Sequence, residues 1–288
     1  MKFKKIIPYV FTSVILMSSG ASSASYDQDS SASNAKFEQK YSMSAHLENE
    51  YDLQKQKIEA KVHQLISTYI DNAVNGAKRI LESKKQSGYS SAVRRELPGA
   101  PSHAHCLYGQ YTQLNRAIAK AGDTIQIIPI ANNAHMATSS FRRNMANLYD
   151  NLEYPNSIYS GHLYTTDNEY NKALNTYLST KTRDKNGNTD SLRTHYTQEF
   201  EKNNYCTSKL NPGTIIIVSS GHAVMYLGQG EIKNQEFVPC ADGQAICCSY
   251  NKEHPAIYLN VWDTKNSFAA DIKNIATHKY LAQLEKSR

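Results

Sequence analysis

The sequence predicts an α+β fold, in which helices come first and an antiparallel sheet follows. In the first half of the chain, apolar side chains recur at steps of three and four, which is the period of an amphipathic helix. From Asn211 onward, short β-branched runs alternate with turns, as in "NPGTIIIVSSGHAVMYLGQG". Helices grouped before strands are typical of α+β proteins, and 288 residues suffice for one large domain or two modest ones.

The N-terminus has the layout of a secretory signal peptide. Three lysines precede an apolar run from Ile6 to Met17, and small residues follow in "SSGASSAS". The run is shorter than the roughly 20 apolar residues that cross a bilayer, so a membrane anchor is the weaker alternative. We therefore expect residues 1–24 to be removed after Ala24, leaving a secreted or periplasmic protein without stable membrane insertion.

Charge and motifs exclude several classes of function. The formal net charge is +6, and loss of Lys2, Lys4 and Lys5 with the signal peptide would leave +3. No cluster of Lys and Arg is interleaved with aromatic residues, which argues against a nucleic-acid partner. The sequence also contains no glycine-rich phosphate loop, no paired-carboxylate motif and no G-x-S-x-G elbow. We predict no cofactor, and the oligomeric state stays open.

A flexible leader and one long helix are expected after the signal peptide. Residues 25–46 are rich in Ser, Ala, Asn and Gln, which indicates the leader. Residues 47–94 comprise an amphipathic helix to about Ser83 and the start of the linker "KKQSGYSSAVRRELPGAPS". A strict heptad is not sustained, so packing against the following domain is favoured over a coiled coil or a pro-segment, although an inhibitory role for residues 25–94 is left open.

The rest of the chain, residues 95–288, is expected to form one domain. A helix starts at Cys106 and ends at Gly122, and "TIQIIPI" follows as a short edge strand. Residues 132–205 are polar and contain two helical patches. Strands are predicted over "TIIIV", from His222 onward, and over "HPAIYLNVWDT", and a last helix from Ala269 to Lys286.

Cysteine spacing singles out one thiol. There are five cysteines, and an odd number in an oxidising compartment leaves at least one without an intramolecular partner. Four of them lie within 43 residues, whereas Cys106 stands 100 residues before the next. We therefore expect Cys206 and Cys240 to pair with Cys247 and Cys248, and Cys106 to be free. A Cys106–Cys206 disulfide is the alternative.

Cys106 also has the position of a nucleophile. A thiol in the first turn of a helix lies at the positive end of the helix dipole, which is expected to lower its pKa. Such a nucleophile needs a base, and the base needs an orienting group. His222 opens a strand directly after "SSG", and Asn260 or Asp263 could hold the second nitrogen of its ring.

Metal binding is a competing interpretation of the same residues. His103, His105, Cys106 and His222 could form a ligand set, because H-x-H on an extended segment can place both rings on one face. No CxxC or HExxH pair supports that set, so no metal is predicted.

The segment "NPGTIIIVSSGHAVMYLGQG" resembles the histidine segment of papain-like cysteine hydrolases, especially bacterial NlpC-type and CHAP amidases. "CLYGQYTQLNRAIA" is similar to their nucleophile helix, and "IYLNVWD" is similar to the strand that carries their third residue. The resemblance covers about residues 95–270. It implies a papain-like domain with N-terminal helices on a small antiparallel sheet and an insertion at 132–205.

The same resemblance implies the roles of the site residues. Cys106 would be the nucleophile, His222 the general base and acid, and Asp263, or Asn260, the orienting residue. The chain departs from the families at His105, where NlpC-type enzymes usually have Asp, and it has no glutamine close upstream of the cysteine.

The function predicted from the sequence is that of a secreted cysteine peptidase or amidase acting on peptidoglycan peptides. The alternatives are a cysteine protease or effector that acts on proteins, and a non-catalytic, disulfide-stabilised binding module.

Overall fold

The computed structural model describes residues 29–100, 105–128, 138–149, 156–181, 189–218, 221–234, 236–250, 257–259 and 265–287. The chain divides into two compact units, Met1–Asp52 and Leu53–Arg288. In the first unit the described residues are helical, and all other elements belong to the second unit. The predicted signal peptide lies outside the described residues.

The described residues form seven α-helices and eight β-strands. The helices are α1 (Asp29–Ser87), α2 (Tyr89–Glu96), α3 (His105–Lys120), α4 (Thr138–Tyr149), α5 (Asp167–Lys181), α6 (Thr189–Glu201) and α7 (Ile272–Lys286). The strands are β1 (Ile158–Tyr164), β2 (Asn204–Cys206), β3 (Ile215–Ile217), β4 (Ala223–Lys233), β5 (Glu236–Pro239), β6 (Gln244–Cys248), β7 (Ile257–Leu259) and β8 (Ser267–Ala270). The predicted α+β class is confirmed. None of the described helices is both long and apolar enough to cross a membrane.

The strands form one mixed sheet in the order β2-β1-β8-β3-β4-β6-β7, and β5 pairs with β4. The β1–β2 pair is parallel, and the other pairs are antiparallel. The sheet is therefore larger than the small antiparallel sheet expected from the sequence. Its extra strands include β1 and β2, which come from the polar segment 132–205 and its end.

Side chains alternate between two buried faces of the sheet, as the period of two in a β-strand requires. Ile215 and Ile217 of β3 face the core on the helical side, and Ile216 faces the opposite core. The helical side is covered by α1, α2, α3, α4 and α7. Around β2, a smaller cluster joins Tyr170 of α5 to Phe200 of α6.

The long helix α1 is part of the main core. The prediction starts it near Leu47, whereas it begins at Asp29 because no Gly or Pro interrupts the chain before Gly76. Its inward stripe is fully or almost fully buried and follows helical spacing. The stripe consists of Val62, Leu65, Ile66, Tyr69, Ala73, Ala77 and Ile80. Part of the predicted linker forms α2, whose Ala92 and Val93 are buried in the same core.

Two boundaries differ from the sequence prediction. Residues 124–128 of "TIQIIPI" do not form a strand, although Ile125, Ile127 and Ile128 are buried. The last helix begins at Ile272, because the preceding residues form β8 between β1 and β3. Asp271 caps this helix by accepting a hydrogen bond from the Asn274 backbone N–H at 3.0 Å.

Candidate active site

The N-terminus of α3 holds the candidate nucleophile against the sheet. Cys106 lies in the first turn of this helix and is partly buried. The buried positions Leu107, Leu114 and Ala117 hold α3 against the main core, and α3 contacts β4. The predicted helix therefore forms and directs its first turn toward the start of β4.

The first turn of α3 lies near the start of β4. The backbone N–H of Ala223, the residue directly after His222, is close enough to the Cys106 sulfur to lower the pKa of the thiol. Val218 N–H donates to the His222 carbonyl at 3.0 Å, so the neighbouring Ala223 N–H points away from β3. On the other side, β6 ends at Cys248 opposite Met225, so the β4–β6 ladder does not reach Ala223. Cys106 and Ala223, which are 117 positions apart in the sequence, are thus neighbours in the fold.

The imidazole of His222 is held by a serine. Its Nε2 lies 2.9 Å from the Ser249 Oγ, and Ser249 is fully buried directly after β6. The register of β4 with β6 puts Val224 opposite Ser249, so His222 is its diagonal neighbour on the same face. When Nε2 donates to Ser249, Nδ1 carries the lone pair that can accept a proton.

The expected orienting residues, Asp263 and Asn260, lie outside the described residues. Their assignment rests on the strand over "HPAIYLNVWDT" following the histidine strand directly. The structure instead inserts β5 and β6, so that β6 lies beside β4, and β7 pairs with β6. Ser249 was therefore missed. The sequence signal for β6 is weak, because "QAICC" is short and buried on both faces and so lacks the alternation of a half-buried strand.

Burial controls the charge of both reactive groups. It raises the pKa of the Cys106 thiol, although hydrogen bonds from the backbone N–H groups of Ala223, Leu107 and Cys106 act in the opposite direction. Burial also lowers the pKa of His222 to about 4. The position of Cys106 in the sequence predicts a thiol pKa lowered by the helix dipole, whereas desolvation outweighs that effect in the folded protein. At neutral pH the site therefore holds a neutral thiol and a neutral imidazole.

All five cysteines lie in the described residues and are free thiols. Cys247 and Cys248 are consecutive on β6 and face opposite cores, so they cannot bond to each other. Cys206 donates to Asp167 Oδ1 at 3.3 Å, away from Cys106. The pairing of the four later cysteines in an oxidised protein stays a prediction.

Within the described ranges, no group of three or more His, Cys, Asp or Glu side chains could hold a metal ion. His103, which the metal interpretation requires, lies outside them. A groove of about 490 Å³ runs between α1 and the far end of α3, and its lining includes Lys61 and Lys120. Since Lys120 lies 14 residues after Cys106, the groove is about 20 Å along the helix from the thiol and separate from it.

Comparison with known proteins finds no matching family model, no similar curated protein and no similar solved structure. No family membership follows for this chain, and the papain-like fold stays a prediction.

Proposed function

We propose that this protein is a secreted cysteine hydrolase that cleaves an amide bond in cell-wall peptides. The observation that carries the proposal is that the Cys106 thiol, in the first turn of α3, lies near the backbone N–H of Ala223 at the start of β4. Ala223 directly follows His222, so the fold brings together the two elements that carry a cysteine and a histidine, the residue types that nucleophilic catalysis by a thiol requires. The cell-wall substrate follows from the resemblance to NlpC-type and CHAP amidases.

In the proposed reaction, the thiol and the imidazole start neutral. The His222 imidazole takes the proton from the Cys106 sulfur as the sulfur attacks the substrate carbonyl carbon. The tetrahedral adduct collapses to a thioester on Cys106, and the imidazolium gives its proton to the departing amine. Water then attacks the thioester with His222 again as the base, which releases the carboxylic acid and restores the thiol.

Ser249 takes the orienting role that the sequence analysis gives to Asp263 or Asn260. Its hydroxyl lies 2.9 Å from Nε2 and thereby orients the imidazole ring. A serine holds the tautomer without adding a negative charge, and this agrees with the low pKa of His222. We expect Ser249→Ala to reduce kcat more than Asp263→Asn does.

A non-catalytic binding module is the second candidate. The burial that raises the pKa of Cys106 and lowers that of His222 also suits two inert core groups. Cleavage of proteins instead of wall peptides would use the same two residues and differ only in the substrate.

The test is hydrolysis of purified peptidoglycan peptides, followed by mass spectrometry of the newly formed amines. The wild type should release them, and Cys106→Ala should lower the rate by about 10³-fold or more, since it removes the nucleophile. Cys240→Ala is the matched control, because Cys240 is an exposed cysteine on the β5–β6 turn. Full activity in Cys106→Ala would refute the proposal, and peptide binding without cleavage in both proteins would favour the binding module. A panel of denatured proteins run in parallel separates wall peptides from protein substrates.

A further inference from the structure

Tyr250 directly follows Ser249 and joins the strand layer to the helices. Its side chain is fully buried, and its hydroxyl donates to the Ala73 carbonyl of α1 at 2.8 Å. Its own carbonyl accepts a hydrogen bond from the Tyr89 hydroxyl of α2 at 2.6 Å. Tyr250 is thus anchored to two helices, and it directly follows Ser249, the hydrogen-bond partner of His222.

The same tyrosine also packs against the nucleophile helix. An ideal Cβ at Gly109 would lie 2.6 Å from the ring carbon Cδ2 of Tyr250, so glycine is required for this approach. Gly109 is one turn after Cys106 on α3. Gln113, one turn further on, lies beside the Tyr250 hydroxyl and donates to Glu96 Oε1 at 3.1 Å. The ring therefore contacts the helix that carries the thiol while its backbone continues from Ser249.

Glu96 extends this network to two arginines. It accepts bonds from Arg79 of α1 at 2.8 Å and from Arg116 of α3 at 2.9 Å. These bonds hold α1, α2 and α3 together around the Tyr250 hydroxyl. The position of Ser249 is in this way tied to the same helices that set the position of Cys106.

We propose that Tyr250 is a positioning residue, which holds Ser249 at the His222 ring and fixes that ring relative to the first turn of α3. This inference rests on the proposed function for its catalytic meaning. Its structural part, the control of the imidazole by Tyr250 through Ser249, concerns contacts of the folded protein and can be measured without a substrate.

The test is an NMR titration of the His222 imidazole in the full chain, with the resonance assigned by its loss in His222→Gln. Tyr250→Phe keeps the ring and removes the hydroxyl with its bond to Ala73. We expect the midpoint of the His222 titration to rise toward the ordinary histidine pKa. We also expect kcat on the wall peptides to fall between about 10-fold and about 100-fold, with little change in KM. The matched control is Tyr205→Phe, which removes a buried tyrosine hydroxyl bond, 2.7 Å to Ser267, on the face of the sheet opposite to Tyr250.

A double-mutant cycle separates positioning from general loosening. If Tyr250 acts through Ser249, Tyr250→Phe should have no further effect on the titration once Ser249→Ala is present. An unchanged midpoint in Tyr250→Phe, an equal shift in Tyr205→Phe, or a full further shift in the double variant would each overturn the inference. If Tyr250→Phe does not fold, Tyr89→Phe removes the other anchor and should move the midpoint in the same direction.

The outcomes also distinguish this inference from the proposed function. Full activity in Cys106→Ala would refute the proposed function. That result would not bear on the titration of His222. Loss of the inference would appear in the titration alone, with Cys106 still required for hydrolysis.

Discussion

Desolvation of Cys106 and His222 sets the chemistry available to this site. A thiolate and an imidazolium would both be charged in a partly buried place, whereas the neutral pair avoids that penalty. The Ala223 N–H stabilises charge on the sulfur once it develops, because an N–H donor favours an anionic acceptor. Under the proposed function, the thiol proton would be transferred during attack on the carbonyl, because His222 is neutral at neutral pH.

His222 should make stability depend on pH in a defined window. Its pKa is about 4 in the folded protein and about 6.5 in the unfolded chain, so between these values the unfolded state binds more protons. Stability is therefore fully present above about pH 6.5 and falls as the pH drops toward 4, by up to about 3 kcal/mol. Denaturant unfolding at pH 7 and pH 5 should show this loss in the wild type and a smaller one in His222→Gln. The exposed His195→Gln is the control, and an equal pH effect in all three proteins would contradict the assignment.

The insertion of β5 and β6 between β4 and β7 separates the part of the candidate site that can be predicted from the sequence from the part that cannot. The start of α3 and the start of β4 are recognisable from local patterns, and therefore Cys106 and His222 could be proposed from the sequence alone. The partner of His222 depends on which strand lies beside β4, and this is decided by tertiary pairing. Ser249 can therefore be identified as the partner of His222 only when the register that pairs Met225 with Cys248 is known.

The packing of α3 on Tyr250 gives a prediction at the scale of one helix. On helix propensity alone, Gly109→Ala should stabilise the protein by about 1 kcal/mol. The added Cβ would instead lie 2.6 Å from a ring that cannot move, because its hydroxyl and its carbonyl are both bonded. We expect a net loss of about 1–3 kcal/mol in thermal or denaturant unfolding.

The control for this variant is Ala119→Gly, an exposed position on α3 that reports propensity without packing. It should lose about 1 kcal/mol. A more stable Gly109→Ala protein would show that the ring does not restrict α3.

At the scale of the whole molecule, α1 belongs to the hydrophobic core shared with the sheet. The same cluster contains Tyr69 of α1, Leu107 of α3 and Met225 of β4. A removable pro-segment would leave its partner domain with a complete core, whereas here the inward stripe of α1 is part of that core. The alternative of an inhibitory segment at residues 25–94 is therefore disfavoured for the part of α1 from Val62 onward.

Two leucines of α1 test this integration. Leu65 is 2% exposed and Leu53 is 51% exposed, so the same substitution samples a buried and a solvent-facing position of one helix. Leu65→Ala should lower the free energy of unfolding by about 2–5 kcal/mol, and Leu53→Ala should change it by less than about 0.5 kcal/mol. Small and equal effects would indicate that α1 is not packed on the domain.

The pairing of Cys106 with His222 is tested most directly by alkylation with iodoacetamide between pH 6 and 9, with labelled peptides quantified by mass spectrometry. Exposed Cys240 is the internal reference in the same molecule, and buried Cys206, Cys247 and Cys248 report on local unfolding. Cys106 should react at pH 7, and its rate should fall at least about 10-fold in His222→Gln while that of Cys240 stays constant. If Cys106 reacts at the same rate in both proteins, or as slowly as the buried thiols, His222 is not its base and the hydrolase account is wrong.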